Sequence, residues 1–187
     1  MVYSGLHPWY IIQNTKHKME CDGLEGIEMG LHVIDEAKRC LKCKNPRCVK
    51  GCPVGTEIPE MIGMLLEGRI SDAGKRLFDN NPLSLVCSLV CPHEAQCEGH
   101  CVLAGKGMPV HISSIENYIS DYSLDMLPVE AGMGALGTIG IIGSGPAGIT
   151  LAFIMALKGY KVTIFDMNDK IGGILYYGIP EFRLPKE

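Results

Sequence analysis

Four cysteines fall within thirteen residues, as Cys40, x2, Cys43, x4, Cys48, x3, Cys52, with Pro53 directly after the last. A second group follows as Cys87, Cys91, Cys97 and Cys101, spaced x3, x5, x3. Thiols at such density are hard to explain by packing. Short irregular turns between cysteines are how a chain brings thiolates onto an iron-sulfur cluster, and in bacterial ferredoxins the Cys that precedes Pro serves a different cluster from its neighbours. By that logic Cys40, Cys43 and Cys48 hold one cluster, and Cys52 reaches toward a second whose other ligands come from the later group. Spacing alone would include Cys87 among them. Zinc is the competing reading, but a zinc knuckle carries His where this chain has Cys48, and zinc gives the Cys-Pro pair no role. Disulfides suit secreted proteins.

Helical signals carry the chain into and between these groups. Leu31, Ile34, Ala37 and Leu41 recur at helical spacing before Cys40. Ile58, Met61, Ile62, Leu65 and Leu66 follow the same period, with Pro59 in the first turn and Gly68 as the stop. Ser71 is expected to cap the next helix, which shows Ala73, Leu77 and Phe78 on one face and ends at Asn80-Asn81-Pro82. The two form an antiparallel hairpin. Cys87/Cys91 and Cys97/Cys101 sit four apart, which on short helices places each pair on one face. Ser113 and Glu116 have the spacing of a capping box at the start of a further helix. His93, His100 and His111 read as turn or surface residues, and Cys21 as an isolated thiol.

The composition is that of a globular chain: 47% hydrophobic and 20% charged residues over 187 positions. A formal charge of −4 offers no overall basic field for nucleic acid. The local exception is Lys38, Arg39, Lys42, Lys44, Arg47 and Lys50 around the first thiols, which can offset thiolate and cluster charge. No apolar run has the length to span a bilayer, and residues 1–12 lack a signal peptide's basic start and long apolar core. A reducing cytoplasm is expected. Trp9 is expected to anchor the N-terminal arm.

Residues 128–137 turn abruptly to small and flexible types and read as a linker. Beyond them, a short apolar strand leads into Gly143-Ser144-Gly145-Pro146-Ala147-Gly148, an apolar helix, and a second strand ending at Asp166. This is the context a dinucleotide fingerprint requires. Gly143 permits the tight turn, Gly145 the approach of a pyrophosphate, and Gly148 close packing of helix on strand. Asp166 is expected to accept hydrogen bonds from the ribose hydroxyls.

The Arg-Cys-Leu-x-Cys run ending Gly-Cys-Pro-Val, the segment Val-Cys-Pro-His-Glu-x-Gln-Cys-Glu, the sequence Ile-Gly-Ser-Gly-Pro-Ala-Gly and the tail Gly-Gly-Ile-Leu-Tyr-Tyr-Gly-Ile-Pro-Glu-Phe-Arg-Leu-Pro-Lys resemble the small (beta) subunit of NADPH-dependent glutamate synthase. The same stretch is similar to the N-terminal module of dihydropyrimidine dehydrogenase and to the large subunit of the bifurcating ferredoxin:NADP oxidoreductase. The resemblance covers the chain from about Gly26. Ser88-Leu89 and His111 to Ser114 depart from the usual pattern.

The resemblance implies an all-α domain with two [4Fe-4S] clusters (26–127), preceded by an arm (1–25) and followed by the linker and the first βαβ part of a Rossmann-like FAD domain (138–187). It implies FAD rather than NAD at Gly143 to Gly148, with Gly172 and Gly173 against the flavin nucleotide. It also implies ligand sets of Cys40, Cys43, Cys48 and Cys101 for one cluster, and Cys52, Cys91, Cys97 and Glu116 for the other, displacing Cys87. The expected function is an electron-transfer module of an NAD(P)H-dependent oxidoreductase, serving a large catalytic subunit or other redox partner. NADPH would bind only to a longer protein of which this chain is a piece, and the chain alone is expected to be inactive. Homodimerisation is compatible with the pattern. The alternatives are a subunit of the bifurcating ferredoxin:NADP oxidoreductase or sulfide dehydrogenase type, a stand-alone electron carrier and a zinc-binding interaction domain.

Overall fold

Apolar residues recurring three and four apart make one body of the protein almost entirely helical. The computed structural model describes residues 2–4, 25–124 and 135–186. Trp9, Cys21 and most of the expected linker lie outside them. Residues 20–127 form one unit, and residues 1–19 with 128–187 form the other.

In the helical unit, α1 (Glu25–Lys38), α2 (Arg47–Gly51), α3 (Ile58–Leu66), α4 (Ile70–Asn80), α5 (Ser84–Val90) and α6 (Ile112–Leu124) succeed one another, with a 3-10 turn at Val102–Lys106. Val33 and Ala37 of α1, Ile58, Met61, Ile62 and Leu65 of α3, Ala73 and Leu77 of α4, and Ile112, Ile115 and Ile119 of α6 build one core. Cys97 is part of it, and Cys40, Cys48, Cys52 and Cys101 pack against its margin. The core therefore fixes where the thiols stand.

Several local expectations need correction. Helix α1 ends at Lys38, so Leu41 leaves the apolar face and is 60% exposed. Ser71 does not cap α4, which begins at Ile70 after Arg69 with no side-chain cap. The reason is the tightness of the preceding stop: Gly68 has φ +75, its N–H donates to Leu65 O, and Arg69 N–H donates to Met64 O. That paired closure ends α3 and leads straight into the next helix. Residues 93–100 are turns rather than a helix, with the His93 carbonyl gathering the N–H groups of Gln96, Glu98 and Gly99.

Helices α4 and α6 meet at Gly74, where an added Cβ would lie 1.8 Å from Ser123 Oγ and 2.1 Å from Ser123 Cβ. Gly74→Ala should therefore destabilise the unit by about 1–3 kcal/mol despite alanine's better helix propensity. Adding Ser123→Gly should recover part of that loss in urea unfolding. A Gly74→Ala protein as stable as the parent would show that the helices separate at no cost.

In the other unit, β2 (Thr138–Ile142) pairs parallel with β3 (Lys161–Phe165), from Thr138 opposite Lys161 to Ile142 opposite Phe165. Helix α7 (Pro146–Leu157) connects them, and α8 (Ile174–Tyr177) follows. Ile141, Ala152 and Ile164 form the core between helix and strands. The first βαβ part by itself would be a half-sheet of two parallel strands with an unpaired edge. Instead β1 (Val2–Ser4) adds there antiparallel, giving the order β1-β3-β2. Among the described residues no helix is long and apolar enough to cross a membrane.

Candidate metal centres and nucleotide site

The loop after α1 turns sharply through Lys42, whose φ of +45 is rare for a residue with a side chain. The turn swings Cys43 back beside Cys40, while α2 presents Cys48. Cys101, at the entrance to the 3-10 turn, joins them from the far end of the unit. Cys40, Cys43, Cys48 and Cys101 line one cavity, with Leu41, Arg47, Ile58, Pro59, Ile62 and Val110 also on its wall. The Lys42 N–H is directed at the Cys40 sulfur, and the Val49 N–H at that of Cys48. Burial pushes the Cys48 thiol up to about 11.

A second set gathers where α5 meets α6. Ser120 Oγ donates to Ser84 Oγ at 3.0 Å, and Asn117 Nδ2 to Ser88 Oγ at 3.0 Å, fixing the register of the two helices. That register sets Cys87 and Cys91 beside Glu116, and the charges of Glu116 and Cys52 act on both thiols. Cys97 is influenced by Glu116 and Cys52 as well. Cys52, Cys87, Cys91, Cys97 and Glu116 therefore share one neighbourhood, five donors in all. Burial pushes Cys91 and Cys97 up to about 12. Protons so tightly held leave when sulfur bonds to iron, which couples cluster binding to proton release.

Glu116 does not form the capping box. Helix α6 starts at Ile112, which puts Ser113 inside the first turn, and the Ser113 N–H and Oγ both donate to Glu98 Oε1, at 2.9 and 2.8 Å. With its backbone role taken by Glu98, the Glu116 side chain is 7% exposed and faces the thiols. Burial raises its carboxyl to about 7.

Both sets fit iron-sulfur chemistry. Among the described residues no three His, Cys, Asp or Glu side chains are close enough to share a single metal ion. A four-iron cluster takes its ligands at separate corners, so its thiolates surround a space, as the first four do here.

The cap on α6 and the loop before Cys40 share a support that sequence reasoning missed. Glu36, 8% exposed, accepts hydrogen bonds from Arg39 Nη1 and, at 2.8 Å, from the His111 N–H. Arg39 also donates to the carbonyls of Met108 and Pro109, at 2.6 and 3.2 Å. Burial works to raise the Glu36 carboxyl, but these donors outweigh it and leave it below its ordinary 4.5. A depressed carboxyl stabilises the fold above its unfolded value and loses that contribution as pH falls through the folded one. Glu36→Gln should thus cost about 1–2 kcal/mol at pH 7, with the gap to the parent closing in unfolding curves taken below about pH 4.5. A gap that stays constant across that range would show that the charge is irrelevant.

At the nucleotide site, Gly143 turns with φ +96, and an added Cβ on Gly148 would sit 1.9 Å from Gly143 O. An added Cβ on Gly145 would meet nothing within 4 Å. Gly145 caps α7 and Pro146 opens it, with Ala147 next. Gly172, at φ +117, donates its N–H to Ser144 O at 2.9 Å, and an added Cβ on Gly173 would lie 2.8 Å from Gly145 Cα. The glycine pair therefore lies against the fingerprint turn.

Asp166 is engaged by its own neighbours. Its Oδ2 accepts from the N–H and Oγ of fully buried Ser144, and its Oδ1 accepts at 2.8 and 3.1 Å from the N–H and Nδ2 of Asn168. Those donors, with Ser144 foremost, hold the carboxyl well below the usual range. A carboxylate has about four acceptor sites, and these donors engage them within the protein.

Residues 21–127 match the family described as dihydropyrimidine dehydrogenase domain II, 4Fe-4S cluster. The chain belongs to this family. Residues 141–183 match the NAD(P)-binding Rossmann-like domain, the stretch that holds the glycine turn and Asp166. The chain is 41% identical over 155 residues to the glutamate synthase [NADPH] small chain of Escherichia coli, covering 81% of this chain and 33% of that protein. It is 35% identical over 167 residues to the NAD-dependent dihydropyrimidine dehydrogenase subunit PreT of the same species, covering 88% and 40%. Against the glutamate synthase [NADPH] small chain of Azospirillum brasilense the identity is 38%, covering 81% and 32%. The chain thus spans between about a third and two fifths of the length of these curated relatives.

Proposed function

We infer that this chain is the electron-transfer module of an NAD(P)H-dependent FAD and iron-sulfur oxidoreductase of the glutamate synthase small-subunit type, passing electrons to a partner subunit in the cytoplasm. What supports this most is the departure of Cys101 from its sequence neighbours to join Cys40, Cys43 and Cys48 around one cavity. Of the five donors that remain, Cys52, Cys91, Cys97 and Glu116 are the ligand set that the family resemblance implies for a second cluster. The working division is an arm (1–25), a helical double-cluster domain (26–127), a linker (128–137) and the start of an FAD domain (138–187).

FAD is the group that accepts two electrons together and releases them singly. The residues here have simpler tasks. Amides at the start of α7 hold the pyrophosphate, and Gly172 and Gly173 bear on it from the side. Asn168 yields an Asp166 oxygen to the ribose. Around the first centre, residues 39–56 carry five cations and no carboxylate, and exposed Leu41 and Val102 stand on the cavity wall. That rim suits the docking of an acidic redox partner as well as the neutralising of cluster charge. The similarity to PreT keeps a pyrimidine-reducing complex as the second reading.

Protein prepared anaerobically should contain about eight irons and as much acid-labile sulfide per chain. Release of yellow flavin on denaturation of the natural protein is the matching test for FAD. Stoichiometric zinc without sulfide would sink the proposal and leave a zinc-stabilised interaction domain in its place.

A further inference from the structure

The second centre has one donor too many. Four corners of a cluster need four ligands, yet Cys52, Cys87, Cys91, Cys97 and Glu116 share its neighbourhood. Cys87 is not an idle core thiol. It lies on α5 one turn before Cys91, whose N–H donates to the Cys87 carbonyl at 3.0 Å, and Asn81 Nδ2 donates to its sulfur at 3.2 Å. That amide holds the sulfur in place beside Cys91. The Ser84–Ser120 and Ser88–Asn117 hydrogen bonds hold that face of α5 against Glu116. Glu116 itself is 7% exposed on that side of α6, so a bond to iron would compensate the burial of its carboxylate.

We propose that Cys87 is a reserve ligand of the second centre, held by Asn81 beside the Glu116 corner and able to take that iron when the carboxylate is absent or displaced. This rests on the reading of Glu116 as the resting ligand. In the exchange an iron–oxygen bond is given up and an iron–sulfur bond is made. The Cys87 proton passes to solvent or to the departing carboxylate, and no electron changes hands. A softer thiolate replaces a hard oxygen donor, so the centre survives with altered properties. Such a site tolerates loss of its weakest ligand, which a four-donor site does not.

The test compares Cys87→Ser, Glu116→Ala and the double variant in this chain, loaded with iron and sulfide anaerobically and read by iron content and by the low-temperature EPR of the reduced protein. The four irons of the first centre report that each variant is folded. Expected are about eight irons in either single variant, with a changed second-centre spectrum in Glu116→Ala, and about half that in the double variant. A fall to about four in Glu116→Ala, with Cys87→Ser unaffected, overturns the reserve role and leaves Glu116 as a ligand. A fall in Cys87→Ser alone overturns the reading of Glu116 itself, because Cys87 would then be the resting ligand. Full iron content in the double variant overturns both.

Discussion

Cys101→Ser should remove about four irons from a protein that otherwise holds about eight, and the spectrum that disappears should be the one that Cys43→Ser also abolishes. Spacing would put Cys101 with Cys97, four residues earlier, but the structure puts it on the cavity shared by Cys40, Cys43 and Cys48. A serine hydroxyl is a harder and weaker donor to iron than a thiolate, and among the described residues no further thiol lines that cavity. Cys97→Ser should instead affect the other spectrum, with the first centre intact. Iron content and the EPR of the reduced variants distinguish the two outcomes. If Cys101→Ser matched Cys97→Ser instead of Cys43→Ser, the cavity would not be the first centre and the pairing of the thiols would have to be redrawn.

The chemistry was more legible in the sequence than the supports that position it. Iron-sulfur ligation can be read from Cys40 to Pro53 because ligand spacing is local, and the fingerprint can be read because its glycines, strands and acid fall within a short run. The core of α3 and α4 was legible for the same reason, since Ile58, Met61, Ile62, Leu65, Ala73 and Leu77 recur at helical spacing and are all buried. What failed was long-range. Glu98 takes the capping role that spacing assigns to Glu116, Glu36 reaches the start of α6 from α1, and β1 returns to the sheet from the far end of the chain. Nothing adjacent in sequence announces those partners. Asp166 is an intermediate case, legible as the acid of the fingerprint but not as one whose acceptor sites are engaged by Ser144 and Asn168.

Gly145 and Gly148 should fail in different ways when each is replaced with alanine. At Gly145 the backbone has φ −68, which any residue adopts, and the space where a Cβ would go is empty to 4 Å. Gly145→Ala should therefore leave unfolding within about 0.5 kcal/mol of the parent. The same methyl would occupy the place a pyrophosphate must approach, so affinity for FAD, followed by quenching of flavin fluorescence, should fall by about tenfold or more. At Gly148 the obstacle is the protein itself, since a Cβ would press on the Gly143 carbonyl at 1.9 Å and neither backbone has a flexible side chain to yield. Helix α7 must shift off the strand. Gly148→Ala should cost about 1–3 kcal/mol in this unit and weaken the nucleotide only as a consequence of that shift. Stability and affinity thus separate at one position and fall together at the other. A Gly145→Ala protein that binds FAD as tightly as its parent would mean that the pyrophosphate does not lie over this turn, and the nucleotide would have to be sought elsewhere on the sheet.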